Sequence, residues 1–117
     1  MTSVVLFHSI LGLRAVERDI AAVFERDGHR VMLPDLFDGQ SAEDYESAFA
    51  RKKSIGNEAI LVRARAALDA APDNAVLSGV SFGAGLVGEF WADRPDMAGA
   101  LLFAGVTEWM VPRRADF

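Results

Sequence analysis

Gly79-Val80-Ser81-Phe82-Gly83 is the stretch of this chain whose residue types and spacing could do chemistry. A short apolar run, Ala75-Val76-Leu77, precedes it, and a helix-like segment from Gly85 to Ala92 follows. A serine between two glycines on a strand-to-helix turn is the arrangement that presents a hydroxyl as a nucleophile. The turn is sharp and strained, so the hydroxyl stands clear of the backbone. Positions two before and two after the serine are crowded by the returning helix, and a Cβ there would clash. The chemistry implied is acyl transfer, which also needs an acid and a histidine base. On such a scaffold both follow the serine in chain order, and no histidine follows Ser81.

Other chemistries are thinly provided for. The chain has no cysteine, which removes disulfides, thiolate metal sites and cysteine nucleophiles together. Two histidines in total make a His-rich metal site implausible, and no cofactor or metal is implied. Gly83-Ala84-Gly85-Leu86-Val87-Gly88 also spells G-x-G-x-x-G, and Glu108 follows about 25 residues on, near the acidic position of a dinucleotide fingerprint. That fingerprint should open directly from a strand, whereas Gly79-Val80-Ser81-Phe82 intervenes here. It would also leave Gly79 and Ser81 without a purpose, so a dinucleotide-binding domain is the lesser alternative.

The elements that must position Ser81 are legible as apolar runs. Ser3 to His8 reads as a strand buried on both faces. Leu13 to Asp27 reads as a helix with Val16, Ile20, Val23 and Phe24 on its inner face, stopped by Gly28. Arg30 to Pro34 is the second strand. Ser41 reads as the cap of a helix running to about Lys52, and Asn57 as the cap of a second piece with an Ile60, Leu61, Ala64, Ala67 and Leu68 stripe. Ala75 to Gly79 is the third strand and Gly99 to Ala104 the fourth, followed by irregular chain from Val106 to Phe117. Strands alternating with helices predict a parallel sheet with right-handed crossovers.

Composition bounds the rest. A length of 117 residues allows one domain. Hydrophobic content of 51% and a mean hydropathy of +0.18 mark a core-forming chain. The net charge is −5, and no basic stripe interleaves with aromatics, so nucleic acid is not an expected partner. No run approaches the roughly 18 apolar residues of a membrane span, and Val4 to Phe7 is too short for a signal sequence. A cytoplasmic protein is expected.

Taken together the motifs resemble the dienelactone hydrolase family of α/β-hydrolases. The matching pieces are Val4-Val5-Leu6-Phe7-His8-Ser9-Ile10-Leu11-Gly12-Leu13, Gly28-His29-Arg30-Val31 leading to Pro34-Asp35-Leu36, Gly79-Val80-Ser81-Phe82-Gly83-Ala84-Gly85, and Leu101-Leu102-Phe103-Ala104-Gly105. They run in family order and cover nearly all of the chain. The resemblance implies an α/β fold, with helices on both faces of a parallel sheet in the spatial order two-one-three-four. Ligands then bind where the crossovers diverge, beyond the carboxyl ends of strands one and three. It further implies Ser81 as nucleophile, with the backbone N–H groups of Phe82 and Ile10 as oxyanion donors.

Departures from the family refine the expectation. Well-known members have cysteine where this chain has Ser81, and glutamate where it has Ser9, so the substrate expected is a small-molecule ester or lactone. The family continues through further strands that bring the acid and the histidine. Residues 1–117 are thus expected to be a single domain forming the N-terminal part of such a hydrolase, with the acid and His elsewhere. An apolar fourth strand left as an edge predicts self-association or pairing with a C-terminal segment. A non-catalytic binding module is the alternative.

Several residues lie near the expected crevice. His8, at the end of strand one, is either a substitute base or a structural residue beside the oxyanion loop, the second being favoured. Ser9 is its neighbour. Glu108, after strand four, is either a catalytic acid or a solvated loop residue. Asp35 is expected to cap the turn after Pro34. Arg51, Lys52 and Lys53 form either a carboxylate-holding cluster or a solvated helix face. His29 falls at the opposite end of the sheet.

Overall fold

The structure, a computed structural model, describes residues 2–103. Four parallel strands form one sheet: β1 (Ser3–Phe7), β2 (Arg30–Met32), β3 (Val76–Val80) and β4 (Ala100–Phe103). Their order is β2-β1-β3-β4, as the family resemblance implies. All five residues of β1, Ser3-Val4-Val5-Leu6-Phe7, are buried. Val4 pairs with Val31 on one side and Val76 on the other, and Leu77 pairs with Ala100. Leu33 and Pro34, expected within the second strand, lie beyond its last pair, Val5 with Met32.

The helices are α1 (Ala15–Arg26), α2 (Tyr45–Ile55), α3 (Asn57–Asp69) and α4 (Phe82–Phe90), the last followed by a 3-10 turn, Trp91–Asp93. The chain steps from β1 to β2 in one direction and from β2 through β3 to β4 in the other. Right-handed crossovers therefore put α1 on one face and α2, α3 and α4 on the opposite one. The main core lies under the second group. Val5, Phe7 and Leu77 of the sheet pack with Ala48 of α2, Ile60, Ala64 and Leu68 of α3, and Leu86, Val87 and Phe90 of α4.

Local chemistry moves several boundaries. The inner face of α1 carries Glu17 and Ala21, both buried, while Val16 is 41% exposed and Val23 53%. The apolar stripe is displaced because the Arg14 N–H donates to Glu17 Oε1 at 2.9 Å, turning that carboxylate inward. The cap of α2 is Asp44, whose Oδ1 accepts from the Ser47 N–H at 2.7 Å, and not Ser41. Ser41 belongs to an extended segment held elsewhere: the Ala42 N–H donates to Leu11 O, and Arg51 Nη2 donates to Ser41 O at 3.0 Å. Gly56, at φ +91°, separates α2 from α3, and Asn57 is the first helical residue rather than the cap.

The helix after the serine begins at Phe82, three residues before the predicted start. Packing overrides the low helix propensity of its glycines: Gly83, Ala84, Leu86 and Val87 are all buried. The expected strand residue Ala104 and the irregular segment from Val106 to Phe117 lie outside the described residues. Among the described residues no helix is long and apolar enough to cross a membrane.

Candidate active site

Ser81 stands alone between β3 and α4. Its backbone sits at φ 53°, ψ −107°, a region that a residue with a Cβ seldom enters. The turn is pinned on both sides: the Ser81 N–H donates to Phe103 O at 2.8 Å, and Ser81 O accepts from the Ala84 N–H at 2.9 Å. The side chain is exposed. A Cβ built on Gly79 would collide with the carbonyl of Gly83, and one built on Gly83 would collide with the carbonyl of Phe7 and lie 2.8 Å from His8 O. Absence of side chains at these two positions lets the start of α4 press against both β3 and the end of β1. The steric reading of the pentapeptide is thus met in detail.

The same close approach brings the turn against the loop that leaves β1. Within that loop the Gly12 N–H donates to Ser9 O at 3.0 Å, and the Leu11 N–H donates to Ser9 Oγ at 3.2 Å. Gly12 has φ +100°, and a Cβ on it would stand 2.5 Å from Gln40 O, so the loop is closed down by the segment preceding α2. Ile10, 5% exposed, lies between these anchors. Neither the Ile10 N–H nor the Phe82 N–H donates to another group among the described residues. Phe82 is also the first residue of α4, where the unpaired amides and the helix dipole favour negative charge.

His8 is wholly buried. Its Nε2 accepts from the Leu36 N–H at 3.0 Å, and its Nδ1 lies 2.7 Å from Ser9 O. Burial lowers its pKa, opposed by the bond to Ser9 and by the charges of Asp35 and Glu17. With both nitrogens engaged inside the protein, the ring behaves as a structural element. Asp35 Oδ1 accepts from the Phe37 N–H at 2.9 Å, the turn-capping job expected of it. His29, at the far end of β2, accepts from the Thr2 N–H through Nδ1 at 3.3 Å.

The basic run of α2 splits by role. Arg51 is committed to Ser41 O. Lys52 Nζ lies 5.6 Å from the centroid of the Phe82 ring, and Lys53 is exposed. Lys52 and Phe82 also border a cleft of about 280 Å³ floored by Ile60, Leu61 and Leu86. Ser81 is not among the residues that line it.

Two supporting residues were not singled out in the sequence. Arg63 of α3 donates from Nη1 to Leu36 O at 2.7 Å and pairs with Asp38 at 3.0 Å, clamping the loop after β2. Nothing but its place on a polar helix face could have signalled it. Glu17 was detectable, because a glutamate three residues after a helix start is a recognised capping position.

Glu108 lies outside the described residues. The G-x-G-x-x-G run from Gly83 to Gly88 falls wholly within α4, and a Cβ on Gly85 would meet open space. The glycine-rich turn that a dinucleotide fingerprint requires between strand and helix is instead occupied by Val80-Ser81-Phe82.

A parallel sheet in this order, with a serine turn where its crossovers diverge, defines an α/β fold of the hydrolase type. The chain belongs to the dienelactone hydrolase family, whose model matches residues 1–114. Among solved structures it is similar to a thioesterase domain from the curacin biosynthetic pathway, with 25% identity and a TM-score of 0.68. That match covers 89% of this chain but only 38% of the thioesterase chain. No curated protein matches the chain.

Proposed function

We propose that this chain supplies the nucleophile and the oxyanion-binding half of a serine hydrolase that cleaves an ester or lactone. The observation that carries the reading is the conformation of Ser81. An exposed serine held at φ 53° between two glycines that cannot bear a Cβ is strain of roughly 1–3 kcal/mol, which packing alone gives no reason to keep.

The Ser81 hydroxyl oxygen attacks the acyl carbonyl carbon while its proton passes to a base. The carbonyl oxygen becomes an oxyanion and accepts from the N–H groups of Phe82 and Ile10. Collapse breaks the bond to the leaving alkoxide, which takes up the proton, and leaves an acyl ester on Ser81. Water then adds to that ester and the same steps in reverse release the acid. Donors aimed at the developing charge are worth about 3–4 kcal/mol each where water is excluded. The base and its acid partner come from polypeptide other than residues 2–103, and β4 is where we expect it to dock. This strand ends the described sheet, and Leu101 on it is 40% exposed.

A fluorophosphonate probe tests the reading. Labelling of Ser81 that disappears in Ser81→Ala supports it, and failure to label even with the rest of a family hydrolase supplied sinks it. Light scattering addresses docking. Self-association, or uptake of that added segment, is expected, and a dilute monomer that ignores it counts against the docking.

A further inference from the structure

We propose that His8 is a positioning residue: its imidazole fixes the peptide plane joining Ser9 to Ile10 and so aims the Ile10 amide across the Ser81 turn. This rests on the reading of Ile10 as an oxyanion donor.

The argument starts from hydrogen-bond polarity. The Leu36 N–H can only donate, so His8 Nε2, 3.0 Å away, must present a lone pair. A neutral ring then carries its hydrogen on Nδ1, and that N–H donates to Ser9 O at 2.7 Å. The Ser9 carbonyl and the Ile10 N–H are opposite ends of one planar trans peptide. Holding the oxygen therefore directs the N–H the other way. The Gly12 N–H takes the same oxygen at 3.0 Å, so the plane is gripped from two sides.

The ring is itself immobilised. It packs edge-on against Phe37, with centroids 4.8 Å apart and an interplanar angle of 75°. Leu36, which sets the tautomer, is tied through its carbonyl to Arg63 of α3. Support thus runs from α3 through the backbone of Leu36 and the imidazole to the Ser9–Ile10 peptide. No member of that relay touches the reacting atoms except the last amide.

Two substitutions divide the ring's functions. His8→Asn retains a donor where Nδ1 stood, and His8→Gln retains an acceptor where Nε2 stood. The full chain, labelled with nitrogen-15, is the material for the test. In the unsubstituted protein the ring nitrogens report the neutral form with the hydrogen on Nδ1. His8→Gln displaces the Ile10 amide resonance and leaves that of Leu36 near its place, and His8→Asn does the reverse. Phenylboronic acid, which adds the Ser81 oxygen to boron with loss of a proton, binds about tenfold more weakly to His8→Gln, and His8→Asn restores most of the affinity.

A ring with its hydrogen on Nε2, or an Ile10 resonance indifferent to His8→Gln, overturns the proposal without any need for the variants to be active. Equal weakening by both variants, in step with lost stability, overturns it as well. Boronic acid binding that Ser81→Ala leaves unchanged, with the rest of a family hydrolase supplied, sinks instead the nucleophile reading, while the tautomer and the Ile10 resonance still decide what His8 does.

Discussion

The carbonyl of Gly83 occupies the space that a Cβ on Gly79 would need. Gly79→Ala therefore forces α4 away from β3 and costs about 3 kcal/mol or more, at the upper end of overpacking penalties. Gly83→Ala acts alike against the carbonyls of Phe7 and His8. Gly85→Ala, in the same helix but facing open space, stabilises by about 0.5–1 kcal/mol. Urea midpoints of the three variants check this, and a tolerant Gly79 would refute the packing of the turn described above.

The role proposed for Ser81 sets stability against function. Glycine enters its backbone region freely, so Ser81→Gly raises stability by about 1 kcal/mol. Ser81→Ala keeps the strain and stays within about 0.5 kcal/mol of the parent. Both lose the hydroxyl and its labelling. Thermal denaturation beside probe labelling separates the two effects, and a destabilised Ser81→Gly contradicts the strain assigned to this residue.

Arg63→Met keeps the apolar stem but drops the bond to Leu36 O and the pair with Asp38. A loss of about 1–2 kcal/mol is expected, most of it from the carbonyl left without its charged donor. The pair itself is more than half exposed on the Asp38 side and contributes little. Asp38→Asn, which also tolerates the φ of 56° at that position, changes stability by less than about 0.5 kcal/mol. Comparable losses in the two variants would reassign the clamp to the ion pair.

Acid weakens the fold through His8. Burial holds its folded pKa below the ordinary 6.5, against the pull of Glu17 from α1, Asp35 from the loop after β2 and the Ser9 carbonyl. The unfolded chain therefore binds the proton first. The contribution of the neutral ring is complete above about pH 6.5, falls as the pH drops below that value, and is gone beneath the folded pKa. Urea unfolding between about pH 8 and about pH 5 should show this limb, and His8→Gln should flatten it.

Much of the frame was legible because buried parallel strands write themselves as uninterrupted apolar runs. Val4-Val5-Leu6-Phe7 and Ala75-Val76-Leu77 are short, apolar and flanked by breaks, so strand identity could be read from them, while the sheet order came only from the family resemblance. The serine turn was equally legible, since Gly79 and Gly83 are there for a steric reason that spacing records. Side-chain ties across the fold leave no such record. Ser41 and Asp44 are both good caps by type. What decides between them is Arg51 holding the Ser41 carbonyl, ten positions away. Val16 and Val23 obey helical periodicity, yet the buried partner of Ala21 is a glutamate whose oxygen the Arg14 amide draws inward. The grip of His8 on Ser9 depends on Leu36, 28 residues distant, and no periodicity encodes it.

The pairing of the two central strands has a consequence for how this molecule comes together in time. Ser78 Oγ donates to Val5 O across 73 positions of chain. Closing a loop of that length costs roughly 4 kcal/mol of chain entropy before any contact repays it. Folding speed is therefore governed by the meeting of β1 and β3. The serine turn needs both strands, with Gly83 seated on Phe7 and Gly79 beneath it. An opening motion that lifts β1 alone would dissolve the geometry of the Ser81 turn while most helices persist, so loss of the turn would precede unfolding.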